Sequence, residues 1–162
     1  MSFRIYNILA DRFGKDTLLY FDDTLNPYIQ VAPELIQTLC IFMRYNPALK
    51  FSFLFSLCGV DYPEKNQITM VYHLFSMKQK MLWVLKTSVR REHPELESIE
   101  SVWKTAGWFE REIYDLLGVK FTNHSNMKRL LLPDGWVGHP LRKDYEEPLF
   151  YHDMETSRHR VS

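Results

Sequence analysis

A chain of 162 residues that is 46% apolar and 15% aromatic has enough material for one packed domain plus an extended segment, so global disorder is excluded. Its 20 basic residues balance its 20 acidic ones, which excludes a broad positive surface for nucleic acid or anionic lipid and leaves room for a small local basic patch. The longest apolar run, "FSFLFSLCGV", falls far short of the roughly 20 residues that a membrane-spanning helix needs.

The chain opens with Phe3, Ile5, Ile8, Leu9 and Phe13 at helical spacing before Gly14, which predicts a helix over 2–13. Arg4, Asp11 and Arg12 break up its apolar pattern in a way that a secretory h-region does not tolerate. The chain is therefore expected to stay in the compartment where it is made. Short strands are predicted over 17–22 and 28–31, flanking the turn-rich "DDTLNP". Pro33 suits the first turn of a helix over about 33–45, with Leu35, Ile36, Leu39 and Phe42 or Met43 on one face.

Three closely spaced strands come next. In "FSFLFSL" the odd positions Phe51, Phe53, Phe55 and Leu57 alternate with smaller residues, and 67–77 and 81–89 are rich in β-branched and aromatic side chains. The links over 59–66 and 78–80 are too short for a crossover, so these strands run antiparallel. Residues 90–98 read as a polar connection whose basic pair Arg90–Arg91 is solvated. A helix is predicted over 99–117, with Val102, Ala106, Phe109, Ile113, Leu116 and Leu117 as its inner stripe, Gly107 as a candidate break and Gly118 as its stop.

The order α-β-β-α-β-β-β-α predicts an α+β fold, a two-layer sandwich with an antiparallel or mixed sheet of about five strands under packed helices. This domain is expected over 1–121. Residues 122–162, punctuated by Pro133, Gly135, Gly138, Pro140 and Pro148, are expected to form an extended C-terminal arm. Ordering its part from about Pro133 to Ser162 costs more conformational entropy than its few apolar groups return on burial, so partner subunits are expected to order that part.

The individual chemistry-bearing residues have plain readings. Cys40 and Cys58 are too few to hold an iron–sulfur cluster or structural zinc and read as buried free thiols. His73 alternates with core positions on a strand, and His124, His139, His152 and His159 match no metal spacing, so hydrogen bonding in turns is expected of them. Trp83, Trp103 and Trp108 read as core, and Trp136 as a contact residue, since its segment has no fold of its own to bury it.

The helix stretch "GWFEREIYDLLGV" raises a sharper question. Its outer face carries Glu110, Arg111, Glu112 and Asp115, with Glu112 at the border of the apolar stripe. An exposed Arg111–Asp115 pair is worth about 0.3–0.5 kcal/mol, and an anion in the last turn opposes the helix dipole by roughly 0.3–1 kcal/mol. Local helix physics leaves the arrangement unexplained. Three readings stand: a solvated face, carboxylates meant for basic groups elsewhere, or a general acid/base pair. The segment that follows offers Lys128, Arg129, Arg142 and Lys143 as counter-charges.

Taken whole, "EREIYDLLGVKFTNHSNMKRLLLPDGWVGHPLRKDY" resembles the signature of the 30-kDa subunit of respiratory complex I. That pattern has Glu-Arg-Glu, two residues, an acid and two apolar residues. A His or Lys follows after six more, and then a basic residue and aliphatics. Glu110, Arg111, Glu112, Asp115, Leu116, Leu117, His124, Lys128, Leu130 and Leu131 match it, and Gly138 to Tyr145 match the arm. One departure is "HSNMKR", where the family usually has His-Pro-x-Leu-Arg-Arg. Lys128 lacks a guanidinium fork, which leaves Arg129 as the expected bidentate contact.

The resemblance implies a cofactor-free α+β scaffold in the hydrophilic arm of a proton-translocating NADH:quinone oxidoreductase, with FMN and iron–sulfur clusters in other subunits. It implies binding to the large quinone-site subunit and neighbouring iron–sulfur subunits, and a peripheral position on the cytoplasmic side of the plasma membrane or the equivalent side of an organelle membrane. The expected partner-binding residues are Glu110, Arg111, Glu112, Asp115, His124, Lys128, Arg129, Trp136, His139, Arg142, Lys143 and Asp144. The alternatives are the equivalent subunit of a membrane-bound hydrogenase or other complex-I-like dehydrogenase, and a free-standing acid/base enzyme.

Overall fold

The structure is a computed structural model that describes residues 2–151, 154 and 155, so His152, His159 and the end of the expected arm lie outside the described residues. Helix α1 (Ser2–Phe13) leads into strands β1 (Leu18–Phe21) and β2 (Tyr28–Val31). A turn of 3-10 helix over Pro33–Leu35 then opens α2 (Ile36–Tyr45). Strands β3 (Phe53–Tyr62), β4 (Gln67–Ser76) and β5 (Met81–Arg90) follow as a meander.

These strands form one mixed sheet in the order β1-β2-β5-β4-β3. Only β2 and β5 run parallel, a pairing made possible because α2 and the β3–β4 hairpin lie between them in the chain. The fold class is the α+β sandwich expected from the element order.

The helices cover one face. Ile5 and Leu9 of α1 and Ile36, Leu39 and Met43 of α2 pack with Tyr72, Met70 and Leu85 of the sheet in a single core. Helix α3 (Ala106–Leu117) lies across β3. There a Cβ on Gly59 would stand 2.4 Å from Leu117 Cδ1, so the glycine lets helix and strand approach.

Several local expectations needed correction. Strand β3 slips register between Leu54 and Ser56, which turns Leu54 and Leu57 inward and leaves Phe53 and Phe55 exposed. Bulk at alternate positions misled because the large aromatic side chains stand on the face that no helix covers. Residues 99–105 form turns that bury Ile99, Val102 and Trp103, and α3 starts at Ala106, with Gly107 inside it and no break there.

The polar connection hides a strand, β6 (Glu95–Glu97), paired in parallel with β7 (Lys120–Thr122) and burying Leu96 beside Phe121. Three-residue strands are too short to show a period. Cys40 is buried but Cys58 is exposed, and both thiols are free. Trp83 and Trp103 are buried, whereas Trp108 is exposed and carries the Arg111 guanidinium 5.2 Å above its ring.

Candidate functional site at the end of the third helix

Asp115 is fully buried, contrary to its expected place on an outer face. Its Oδ2 accepts the backbone N–H groups of Leu130, Leu131 and Leu132 at 3.0, 2.7 and 2.9 Å, and its Oδ1 accepts Arg129 Nη1 at 2.8 Å. Burial pushes its pKa up, but the backbone bonds and the guanidinium outweigh that and hold it below the ordinary carboxylate value. The helix wheel placed Asp115 opposite the apolar stripe correctly. What the wheel does not show is that the chain returns and covers that side.

The same return uses both faces of Arg129. Its Nη2 donates to the Trp136 and Gly138 carbonyls at 3.1 and 3.4 Å, so one guanidinium ties α3 to the loop beyond Pro133. Arg111 donates to the Lys128 and Arg129 carbonyls at 3.0 and 2.9 Å, so it braces the incoming strand of chain and does not pair with Asp115. Lys128 contributes its carbonyl to this bond, and its side chain is exposed.

Helix α3 ends where Gly118 adopts φ 77° and donates to the Tyr114 carbonyl. A Cβ there would lie 2.5 Å from His139 Nε2. The glycine thus provides both the left-handed stop and the room for His139, whose Nδ1–H donates to the Asp115 carbonyl at 3.0 Å. Leu141 N–H and Arg142 Nε donate to the Leu116 and Leu117 carbonyls, which satisfies two groups that a helix C-terminus leaves open.

Further on, Lys143 N–H donates to the buried Asp61, and Arg91 joins Asp61 to Asp144. Arg91 therefore belongs to a charge network and not to a solvated loop. Residues 128–145 lie on the domain itself. Asp115, Asp61 and the α3 carbonyls supply the hydrogen bonds that anchor this segment, beside its sparse apolar groups.

Glu110 is also buried, again contrary to the outer-face expectation. It accepts Ser98 Oγ–H at 2.6 Å and Ile99 N–H at 2.8 Å, and so fixes the turn that precedes the helix. His124 Nε2–H donates to the Gly107 carbonyl and its Nδ1 accepts Asn126 N–H, with Glu110 Oε2 3.9 Å away. Ser125 stands where the resemblance expects proline. Its N–H and Oγ–H both donate to Glu100, bonds that proline has neither group to make. Glu112, expected to be partly shielded, is exposed. The three carboxylates are separately engaged or separately placed, and an acid/base pair in one cleft is not formed.

Burial raises the Glu110 pKa, and the bonds from Ser98 and Ile99 offset this only in part. The folded protein thus holds this proton more tightly than the unfolded chain. Its share of stability is greatest below the unfolded glutamate value of about 4.3 and falls as pH rises through the folded value. Glu110→Gln should remove that fall. Denaturant midpoints measured across this window should then decline less with pH for the variant than for the wild type, and parallel curves would show that Glu110 does not titrate on unfolding.

Trp136 is half-buried with its ring 5.1 Å from Tyr151, and its Nε1 has no partner among the described residues. The contact set expected from sequence is thus gathered along α3 and its return segment, with Asp144 and Lys143 at the far end. Sequence reasoning missed Asp61, Arg91, Ser98 and Glu100. The first two carried no signal, because Asp61 falls in the predicted link over 59–66 and Arg91 in the polar connection over 90–98.

The family model for the respiratory-chain NADH dehydrogenase 30-kDa subunit matches residues 29–150, which run from β2 through β5, α3 and the return segment and leave out α1 and β1. A NADH-quinone oxidoreductase subunit from Chlorobium phaeobacteroides is 34% identical over 152 residues, 93% of this chain and 92% of that protein. The subunit of the same name from Moorella thermoacetica is 45% identical over 109 residues, 67% of this chain and 74% of that protein. Among solved structures, a trypsin-resistant fragment of Nqo5 superposes with TM-score 0.62 at 25% identity, over 76% of this chain and 98% of that one. A chain of the archaeal membrane-bound sulfane sulfur reductase shares the fold, with TM-score 0.76 at 19% identity over 90% of this chain and 85% of that one. The chain belongs to the family of the 30-kDa subunit of respiratory-chain NADH dehydrogenase, the NADH-quinone oxidoreductase.

Proposed function

We propose that this chain is a structural and assembly subunit of the hydrophilic arm of a proton-translocating NADH:quinone oxidoreductase, without catalytic residues or a cofactor of its own. The observation that carries this reading is the family match over 29–150, which includes β3 to β5 and the clasped return segment. FMN and iron–sulfur clusters belong to other subunits in this reading. Its neighbours are the large quinone-site subunit and the adjoining iron–sulfur subunits, on the cytoplasmic side of the membrane or its organellar equivalent. Among the described residues no helix is long and apolar enough to cross a membrane, in keeping with attachment through the complex.

In this reading the expected contact residues divide by task. Asp115, Arg129, Glu110 and Arg111 hold the clasp from within, whereas the exposed Glu112, Lys128 and Lys143 are the ones left to meet a neighbour. Deleting the gene in its host should abolish NADH-driven quinone reduction by membranes and release the large subunit from them, and the wild-type gene should restore both. A fully assembled, active complex without this chain would overturn the proposal.

A further inference from the structure

The five-stranded sheet has two faces, and the helices cover one of them. Register places Phe53, Phe75 and Leu82 side by side on the other face, with Phe21 stacked on Tyr28 toward the β1 edge. Leu19, Phe53 and Leu82 are 57%, 54% and 40% exposed. Five strands at about 4.8 Å spacing, up to ten residues long, make a surface on the order of 600 Å². That area, which includes polar positions such as Gln30, Lys86 and Ser88, approaches the roughly 800 Å² per partner of a stable interface.

The charge on this face selects its occupant. The strand positions that point outward include Lys86 and Arg90 and no carboxylate. Lys86 is central and half-buried, with its Nζ 3.6 Å from the centre of the Tyr28 ring, and no carboxylate lies within ion-pair distance among the described residues. Covering an ammonium with apolar surface requires a counter-charge. A second copy of this chain would bring a second Lys86 and Arg90. Like charge thus opposes a face-to-face pairing of two copies.

We propose that this open sheet face docks a different polypeptide, one whose contact surface is apolar and places a carboxylate over Lys86. The inference rests on the subunit reading and adds to it a second contact surface, on the side of the sheet away from α3.

Cys58 provides one test, because it is exposed on this face while Cys40 is buried among the helices, and the Lys86 cross-link separates this face from the α3 edge, whose Glu112 charge reaches Cys58. Maleimide labelling of Cys58 should be at least about tenfold slower in the detergent-extracted assembly than in the released chain, as expected of a site that reacts only on opening. A carbodiimide, which joins amines to touching carboxylates without a spacer, should link Lys86 to an Asp or Glu of another subunit. Lys86→Glu should reduce recovery of that subunit by about tenfold or more while leaving the fold of the free chain intact.

Equal labelling rates in assembly and free chain would overturn the inference, as would a Lys86 link to a second copy or to this chain's own C-terminus. If the chain co-purifies with its neighbours while Cys58 stays open, this inference fails alone. If it co-purifies with none, the subunit reading fails with it.

Discussion

Asp115→Ala is expected to destabilise the isolated chain by about 3–5 kcal/mol, the range for removing one member of a buried ion pair. The loss has two sources. The part-buried Arg129 loses its counter-ion, and three consecutive amide N–H groups at 130–132 lose their common acceptor. At about 2–4 °C per kcal/mol for a chain of this size, the melting temperature should fall by roughly 6–20 °C. Hydrogen exchange should quicken over 128–145, while the β4 and β5 amides stay protected.

Asp115→Asn keeps an acceptor and removes the charge, so an intermediate loss is expected. Because the folded carboxyl sits below its ordinary value, its contribution is in full force above about pH 4 and is lost as pH falls through that lower value. The acid limb of the stability curve should therefore flatten in the Asn variant. A variant that exchanges no faster at 128–145 would show that the return segment is held by something other than this carboxylate.

Element order and the helical faces were legible because both rest on period: two for the central strands, 3.6 for the helices. The arrangement of β3, β4 and β5 followed from link length alone. The inner stripe of α3 was also legible, but the meaning of its opposite face was not. Amphipathic reasoning treats everything off the apolar stripe as solvent-facing, which holds only when nothing else packs there. Here the covering segment has no period, since it is held by side-chain-to-backbone bonds and not by an apolar stripe of its own. Its partners could be named by motif, as Arg129 was, but their burial could not be derived from spacing.

Asp61 shows the same limit from the other side. From sequence it falls in the link over 59–66, yet β3 runs on to Tyr62, and its register against β4 sets Asp61 opposite Ile68 on the helix-covered face. Only the returning backbone at Lys143 and the distant Arg91 make that placement tolerable. Contacts of 82 and 30 residues' separation lie beyond any local window. Phe53 and Phe55 were misread for a related reason: apolar bulk at alternate positions marks a strand but not which of its faces the helices cover.

Arg91→Ala is the second change with a large expected effect. Arg91 Nε and Nη2 donate to the two Asp61 oxygens at 2.7 and 3.1 Å, and Nη2 also reaches Asp144 Oδ1 at 2.6 Å. Those bonds hold the guanidinium above even its ordinary value, so it is charged throughout the accessible pH range. Without it, Asp61 is a carboxylate shut away from water, with Lys143 N–H as its remaining donor among the described residues. A loss of about 3–5 kcal/mol follows from the uncompensated buried charge.

The cause can be separated from lost packing by a second substitution. Asp61→Asn in the Arg91→Ala background removes the stranded charge, and the amide oxygen still accepts from Lys143. The double variant should therefore be more stable than Arg91→Ala alone, by more than the roughly 0.3–0.5 kcal/mol scatter of additive sites. Chemical denaturation of the four proteins in the cycle measures this directly. If Asp61→Asn lowers stability in both backgrounds equally, the two side chains are uncoupled, and the end of the return segment is anchored through Arg142 and the α3 carbonyls instead.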